Sequence, residues 1–257
     1  KLMVEKESSA EKNKRHIRVG ILGCLGSGKT TLSRLLKDRW NAAVVTEEYG
    51  NNPFLEKFYA KPQDNSFKSQ LWFLENKVRQ LHEDCNNCTE IIDPSFEMDR
   101  LYAYTQHKTG WMNEHEWNLY EDAYKFLLEE KNIKKPDFNI VITADYPTIL
   151  KRVKRRAKNE DRFFERWMLK YYPDYLKHLS DAVLDWSIAN SQNSLIINTT
   201  FKDMVNPDNH TELSRIEGHI ALFVSRNIGK IIPPQYGNVG PSQYDGIPHI
   251  SDGKVMR

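Results

Sequence analysis

One eight-residue segment has glycines and a lysine spaced to bind phosphate. It runs from Gly23 to Thr30 and fits the pattern GxxxxGK[ST]. In this pattern, the glycines let backbone N–H groups point at phosphate oxygens, the lysine neutralises charge, and the last hydroxyl can ligate Mg²⁺. We therefore predict a phosphate-binding loop (P-loop) that takes ATP or another nucleotide, with Mg²⁺ as its companion ion. The residues assigned to the nucleotide are Gly23, Gly26, Ser27, Gly28, Lys29, Thr30 and Thr31.

Carboxylates follow the next two predicted strands. Glu47 or Glu48 follows the second strand, and Asp93 ends the third. The carboxyl ends of parallel strands meet at one edge of a sheet, where ligands bind. One acid there could accept the proton of an attacking hydroxyl, and the other could hold Mg²⁺. The alternative is that these acids are solvated residues at strand ends.

A cluster of cations lies between residues 151 and 158. Its members are Lys151, Arg152, Lys154, Arg155, Arg156 and Lys158. Such a cluster is typical of a solvated helix face or of a localisation signal. In a chain with a P-loop, it is also typical of a lid that covers the transferring phosphoryl group and stabilises its charge. The P-loop favours the lid.

The elements that must position these residues alternate between short apolar strands and helical patterns. We predict strands over 17–22, 43–45, 91–93, 139–143 and 195–197, and helices over 29–40, 53–58, 66–84, 96–107, 114–131, from 147, 162–189 and 211–226. This alternation predicts an α/β fold, a parallel sheet of about five strands with helices on both faces. We divide the chain into a polar N-terminal arm (1–16), a P-loop domain (17–228) and an extended Pro/Gly-rich C-terminal tail (229–257).

Composition narrows the classes of partner. Of the 257 residues, 39% are hydrophobic and 28% are charged, and the net charge is +2. That charge is too small to predict a nucleic-acid partner, and no apolar run approaches the ~20 residues of a transmembrane segment. Three cysteines form no disulfide framework and favour a reducing compartment. The sequence starts at Lys1 rather than Met, which fits either a removed targeting segment or a late start.

The segment after the second strand resembles the deoxynucleoside kinases. It reads EEYGNNPFLEKFY over residues 47–59, and in that family an acid is followed shortly by an NPFLxxFY-like stretch. The similarity extends from Ile17 to about Val224. This resemblance implies a P-loop kinase fold and transfer of the γ-phosphoryl group of ATP to a nucleoside 5′-hydroxyl. The match to nucleoside-binding segments disfavours a nucleoside monophosphate kinase.

The resemblance also implies roles for individual residues. Glu47 corresponds to the general base on the sugar 5′-hydroxyl, and Arg152 and Arg156 correspond to lid arginines. Asp93 corresponds to the acid of the family's D/E-R-S motif, which lies near Mg²⁺ together with Thr30. The substrate-binding matches are Tyr59 at the sugar 3′-hydroxyl, Gln70 and Asp99 at the base, and Glu160 and Asp161 at the sugar.

One residue departs from the family pattern. The chain has Asp93-Pro94-Ser95 where the family has an arginine between the acid and the serine. Proline has neither a charge nor an N–H donor, and loss of one preorganised donor costs about a hundred- to a thousand-fold in rate. The sequence therefore predicts impaired catalysis, with Arg100 or Arg155 as candidates to replace the missing cation.

The tail adds a second reason to expect a role other than catalysis. Residues 229–257 extend past the resemblance, and a tail of this composition is ordered only when it is tied down. We expect it to lie on a partner surface or, alternatively, on its own domain.

Within the wider family, the chain resembles the accessory subunit of mitochondrial respiratory complex I in its LEKFY segment, its Gln70–Trp72 stretch and its C-terminal extension. This resemblance implies other protein subunits as partners on the matrix side of the inner membrane. The alternative is an active deoxynucleoside kinase in the mitochondrial matrix or the cytoplasm.

Overall fold

The computed structural model describes residues 17–82, 89–131, 133–159, 163–201 and 210–227. The predicted arm (1–16), the predicted tail (229–257) and the predicted sugar-binding pair Glu160 and Asp161 lie outside these ranges. Residue 228, the predicted end of the P-loop domain, lies outside them too.

Five strands form one sheet, and every pairing in it is parallel. They are β1 (Ile17–Gly23), β2 (Ala43–Thr46), β3 (Thr89–Asp93), β4 (Phe138–Thr143) and β5 (Ser194–Asn198). Their order is β2-β3-β1-β4-β5, so β1 is central and pairs with β3 on one side and β4 on the other. All seven residues of β1 are buried, as expected for a parallel strand covered on both faces. The predicted α/β fold is confirmed.

The described part of the chain contains nine α-helices. They are α1 (Lys29–Trp40), α2 (Leu55–Ala60), α3 (Pro62–His82), α4 (Phe96–Lys108), α5 (Glu114–Glu130), α6 (Tyr146–Asn159), α7 (Phe163–Tyr171), α8 (Pro173–Ala189) and α9 (His210–Asn227). The prediction of helix throughout 162–189 is wrong at Tyr172. Helix α7 ends at Tyr171 and helix α8 begins at Pro173. Proline has no N–H to donate to the preceding turn, but it suits the first turn of a helix. None of the described helices is both long and apolar enough to span a bilayer.

Helices cover both faces of the sheet. One face carries α1 and α9, whose Leu36 and Ile220 are buried in the same core as Val19 of β1. The other face carries α4, α6 and α8, and its core includes Leu22 of β1 and Leu179. Side chains alternate along a strand, so β1 supplies both cores and fixes the helices around the end where the P-loop starts.

The loop after β3 packs directly on β1. The Ser95 N–H donates to the Ile21 carbonyl at 3.0 Å, and the Ser95 side chain is fully buried. A Cβ on Gly20 would overlap Asn139 Oδ1 and lie 2.8 Å from Ser95 Cβ. Gly20 therefore lets the segment that carries Asp93 and Pro94 approach the central strand.

We expect Gly20→Ala to destabilise the fold. The added methyl group overpacks the contact with Asn139 and Ser95, which costs about 1–3 kcal/mol of unfolding free energy. Urea denaturation measures the change. Gly50→Ala is the matched control, because a Cβ at Gly50 meets nothing within 4 Å. Equal midpoints for the two variants would show that Gly20 is not a close-packing position.

Candidate functional site

The P-loop joins β1 to α1 through glycines with positive φ. The φ angles are 153° at Gly23, 77° at Gly26 and 109° at Gly28, values that residues with a side chain rarely adopt. A Cβ on Gly26 would also lie 2.8 Å from Val153 Cγ2 of α6. These glycines give the loop its backbone path and let α6 lie against it.

Lys29 holds its ammonium group at the mouth of this loop. Its Nζ donates to the carbonyl oxygens of Gly23 at 2.7 Å and Cys24 at 3.3 Å. Burial lowers the pKa of Lys29, and the negative charges of Asp93 and Glu47 oppose that shift. The ammonium group is thus fixed where bound phosphate would be neutralised.

Asp93 and Thr30 present one carboxylate and one hydroxyl beside the P-loop. The Asp93 carboxylate is buried, and its Oδ2 accepts a 2.6 Å hydrogen bond from Ser33 Oγ, on the first turns of α1. Thr30 and Asp93 line the same cavity. Mg²⁺ suits such a pair, since it keeps several waters and takes other ligands from phosphate. Across the described ranges, no cluster of three or more His, Cys, Asp and Glu side chains could hold a metal by itself.

A cavity of about 880 Å³ extends from the P-loop along α2, α3 and α7. Its size is in the range of small-molecule and cofactor sites. Most of the predicted residues come together in its wall, whereas Gly23, Ser27, Asp99 and Arg152 are not among the residues that line it. The predicted residues that line it are Gly26, Gly28, Lys29, Thr30, Thr31, Glu47, Tyr59, Gln70, Asp93 and Arg156.

Glu47, rather than Glu48, is the acid that faces the cavity. Glu48 is exposed and accepts a 3.0 Å hydrogen bond from Asn51 Nδ2. Burial raises the pKa of the Glu47 carboxyl, while the nearby positive charges of Lys77 and Lys29 lower it. A carboxylate in this setting is more basic than a solvated one, which suits proton abstraction from a hydroxyl.

The NNPF stretch fixes the part of the cavity that lies between α2 and α3. Asn52 Nδ2 donates to Ser69 Oγ at 3.0 Å, and Asn52 Oδ1 accepts from the Phe54 N–H at 2.9 Å. This one buried amide connects the start of α2 to α3, and so places Tyr59 of α2 and Gln70 of α3 in a common wall.

Lys77 is a buried cation that our sequence analysis missed. Its Nζ donates to the Pro94 carbonyl at 2.8 Å and lies 3.9 Å from Asp99 Oδ2. Lys77 follows Gln70 by seven residues, two helical turns, so α3 presents both on one face. That spacing was the available signal.

Asp99 is buried behind the cavity wall. Neither of its carboxylate oxygens has a hydrogen-bond partner in the described chain. Burial raises the pKa of Asp99 to about 8, although Lys77 acts in the opposite direction. The acid is therefore largely protonated at neutral pH, in a site where a carboxylate would be poorly solvated.

The two arginines expected to replace the missing cation lie elsewhere. Arg100 forms a two-point pair with Glu121, at 2.6 and 3.0 Å, and packs over the Trp117 ring. Arg155 is exposed on α6. Neither lines the cavity, so the expected replacement is wrong. Pro94 itself lines the cavity next to Asp93.

The two lid arginines, predicted as a pair, have different surroundings. Arg152 donates to the Thr199 hydroxyl at 3.0 Å and to the Thr199 carbonyl at 2.6 Å, and the acceptors within reach of that hydroxyl are the carbonyls of Thr143 at 3.0 Å and Ser27 at 3.2 Å. Arg152 thus braces the P-loop from outside the cavity. Arg156 lines the cavity and pairs with Glu165 of α7 through Nε, at 2.9 Å, and through Nη2.

A parallel sheet of this order, with a GxxxxGK[ST] loop after its central strand and a cavity at its carboxyl edge, defines a P-loop kinase fold. The chain belongs to the deoxynucleoside kinase family, whose model matches residues 19–224.

Individual relatives cover most of the chain at low identity. The deoxyguanosine kinase of Bacillus subtilis (strain 168) is 26% identical over 210 residues, which are 80% of this chain and 97% of that protein. The deoxyadenosine kinase of Dictyostelium discoideum is 23% identical and spans 87% of this chain and 86% of its own. A structure of M. mycoides deoxyadenosine kinase with bound dCTP superposes with a TM-score of 0.64 at 19% identity, over 79% of this chain and 98% of that one.

Replacement of the buried Asp99 carboxyl group by an amide should stabilise the ligand-free protein in a pH-dependent way. The folded chain keeps a proton up to about pH 8 that the unfolded chain, with an ordinary pKa of 3.8, releases, so stability is lost as pH rises through this window. We expect Asp99→Asn to raise Tm by more at pH 8 than at pH 4, by at least about 2 °C. Thermal melts with Asp122→Asn, an exposed acid on α5, give the control. An equal change in Tm at both pH values would contradict the raised pKa.

Proposed function

We propose that this chain is a nucleotide-binding homologue of the deoxynucleoside kinases in which phosphoryl transfer is impaired. One observation carries the proposal, namely Pro94 in the cavity wall beside Asp93. A proline side chain offers no donor to an oxygen that gains charge during transfer, and such donors are the main source of rate in this chemistry.

Several features support nucleotide binding. The positive-φ glycines and the Lys29 ammonium group lie together at the end of β1. Thr30 and Asp93 would hold Mg²⁺, which when bound neutralises charge on the β- and γ-phosphates. The M. mycoides relative has solved structures with bound dCTP and dATP, which supports a nucleoside triphosphate, ATP among them, as the ligand class.

The alternative function is an active deoxynucleoside kinase, and the position of Glu47 favours it. Glu47, Tyr59 and Gln70 all line the cavity that begins at the P-loop, so a base and two candidate nucleoside contacts remain. An active enzyme requires that Lys29 and Arg156 stabilise the transferring group without the family arginine. Glu47→Gln would then abolish turnover, because the attacking hydroxyl would lose its base.

Turnover and binding measurements separate these two functions. The unmutated chain should bind a non-hydrolysable ATP analogue in the presence of Mg²⁺, by calorimetry, yet give little product with a panel of deoxynucleosides. Pro94→Arg should raise that turnover at least about tenfold, since a restored donor is worth about a hundred- to a thousand-fold where the rest of the site is in place. Pro94→Ala is the control and should stay at the low rate. Robust turnover by the unmutated chain would refute the proposed impairment of phosphoryl transfer and would establish an active deoxynucleoside kinase.

The proposal extends to an accessory role in mitochondrial respiratory complex I, on the matrix side of the inner membrane. Its support is the resemblance in the LEKFY segment, in Gln70–Trp72 and in the C-terminal extension. Leu184 and Ile188, one turn apart on α8, are 44% and 56% exposed and would suit contact with other subunits.

Native electrophoresis of digitonin-solubilised mitochondria tests this role. We expect the tagged chain to migrate with NADH dehydrogenase activity at high mass and to resist protease in mitoplasts, because a matrix-side subunit is shielded by the inner membrane. A chain recovered in the cytoplasm, or as a free monomer or dimer in the matrix, would contradict the assembly and favour the kinase.

A further inference from the structure

We infer that Glu165 is a positioning residue that orients Arg156 toward the phosphates of a bound nucleotide. The inference rests on the proposed nucleotide binding and adds a residue to it. Glu165 lies on α7, outside every motif that predicted the site, and it lines the same cavity as Lys29 and Thr30.

The pair leaves one edge of the Arg156 guanidinium group without a partner among the described residues, and Arg156 lines the cavity. Arg156 uses Nε and Nη2 for the two oxygens of Glu165, while Nη1 makes no hydrogen bond to any residue that the structure describes. A planar carboxylate that holds one edge in two places sets the orientation of the whole group. The opposite edge can then meet a phosphate oxygen without a change of rotamer.

Burial makes Glu165 a firm anchor. Its side chain is 4% exposed, whereas that of Arg156 is 30% exposed. A buried carboxylate must be paired, so Glu165 holds the arginine rather than the reverse. Without the anchor, the long Arg156 side chain would have to be ordered when nucleotide binds, which reduces affinity.

The anchor also connects the two ends of the cavity. Phe164, next in sequence to Glu165, stacks on Tyr59 with ring centroids 4.5 Å apart. Helix α7 therefore contacts the Tyr59 end of the cavity, where a nucleoside would lie, through Phe164. It contacts the P-loop end, where phosphate would lie, through Glu165 and its partner Arg156. Occupancy of one end should favour order at the other.

The opposite possibility is that Glu165 competes with phosphate for Arg156, and the sign of one substitution decides between the two. If Glu165 positions Arg156, loss of its charge weakens phosphate binding. If it competes, loss of its charge strengthens phosphate binding.

Calorimetric titrations with a non-hydrolysable ATP analogue plus Mg²⁺, and separately with deoxyadenosine, provide the test. We expect Glu165→Gln to weaken binding of the triphosphate about tenfold, which is the size of one charge-assisted hydrogen bond. Binding of deoxyadenosine should weaken less than twofold. Arg156→Gln should lose at least as much affinity for the triphosphate. The double variant should bind it no more weakly than Arg156→Gln does, because both residues act through one contact. Glu129→Gln, an exposed acid on α5, should change neither affinity.

Each other outcome has a definite meaning. Equal or tighter triphosphate binding by Glu165→Gln, or additive losses in the double variant, would overturn the positioning role while the proposed function stands. No triphosphate binding by the unmutated chain would overturn both. If Glu165→Gln does not fold, Glu165→Asp replaces it. That variant keeps the charge at shorter reach and should give an intermediate loss, and unchanged affinity would overturn the inference.

Discussion

The parallel pairing of β1 with β3 determines what this site can contain. Gly20 is in register with Ile92, so Asp93 ends its strand beside the start of the P-loop. Ser95 then bonds to the Ile21 carbonyl, which holds Pro94 between the sheet edge and the cavity. Because both strands point the same way, their carboxyl ends bring together a loop that binds anions and an acid that repels them. Such a site can bind an anion only if nearby cations neutralise the negative charge of the acids.

Cations near the site are paired with acids, and this pairing leaves little positive charge that is not neutralised. Arg156 is paired with Glu165, and Lys77 donates to the Pro94 carbonyl beside the largely protonated Asp99. Lys29 lies in the fields of Asp93 and Glu47. In the proposed nucleotide complex, phosphate would meet the loop's backbone N–H groups, Lys29 and Arg156. The proposed impairment would follow because none of these donors replaces a contact that strengthens only in the transition state.

The strands and the P-loop were predictable because each has a strong local signal. Buried parallel strands read as short apolar runs, and the glycine spacing is specific. Contacts between helices were not predictable in this way. Arg152 and Arg156 are four residues apart on one face of α6, and their spacing cannot show that Thr199 takes the first and Glu165 the second. Glu165 was missed for the same reason, and so was the burial of Lys77, because its spacing from Gln70 indicates a shared helix face but not the contacts of that face. Helical periodicity marks a charged residue as polar, not as buried against a neighbouring helix.

Pro94 separates two properties that are joined in the arginine it replaces. The family resemblance implies that the arginine at this position both shapes the loop after β3 and supplies charge to the reacting oxygen. In this chain the loop keeps its shape without that side chain, because the Pro94 carbonyl accepts from Lys77 and the Ser95 N–H donates to β1. Both contacts use backbone groups of residues 94 and 95, so neither depends on the side chain at position 94. On the proposed function, the residue at this one position would therefore decide phosphoryl transfer, while nucleotide binding would depend on the P-loop.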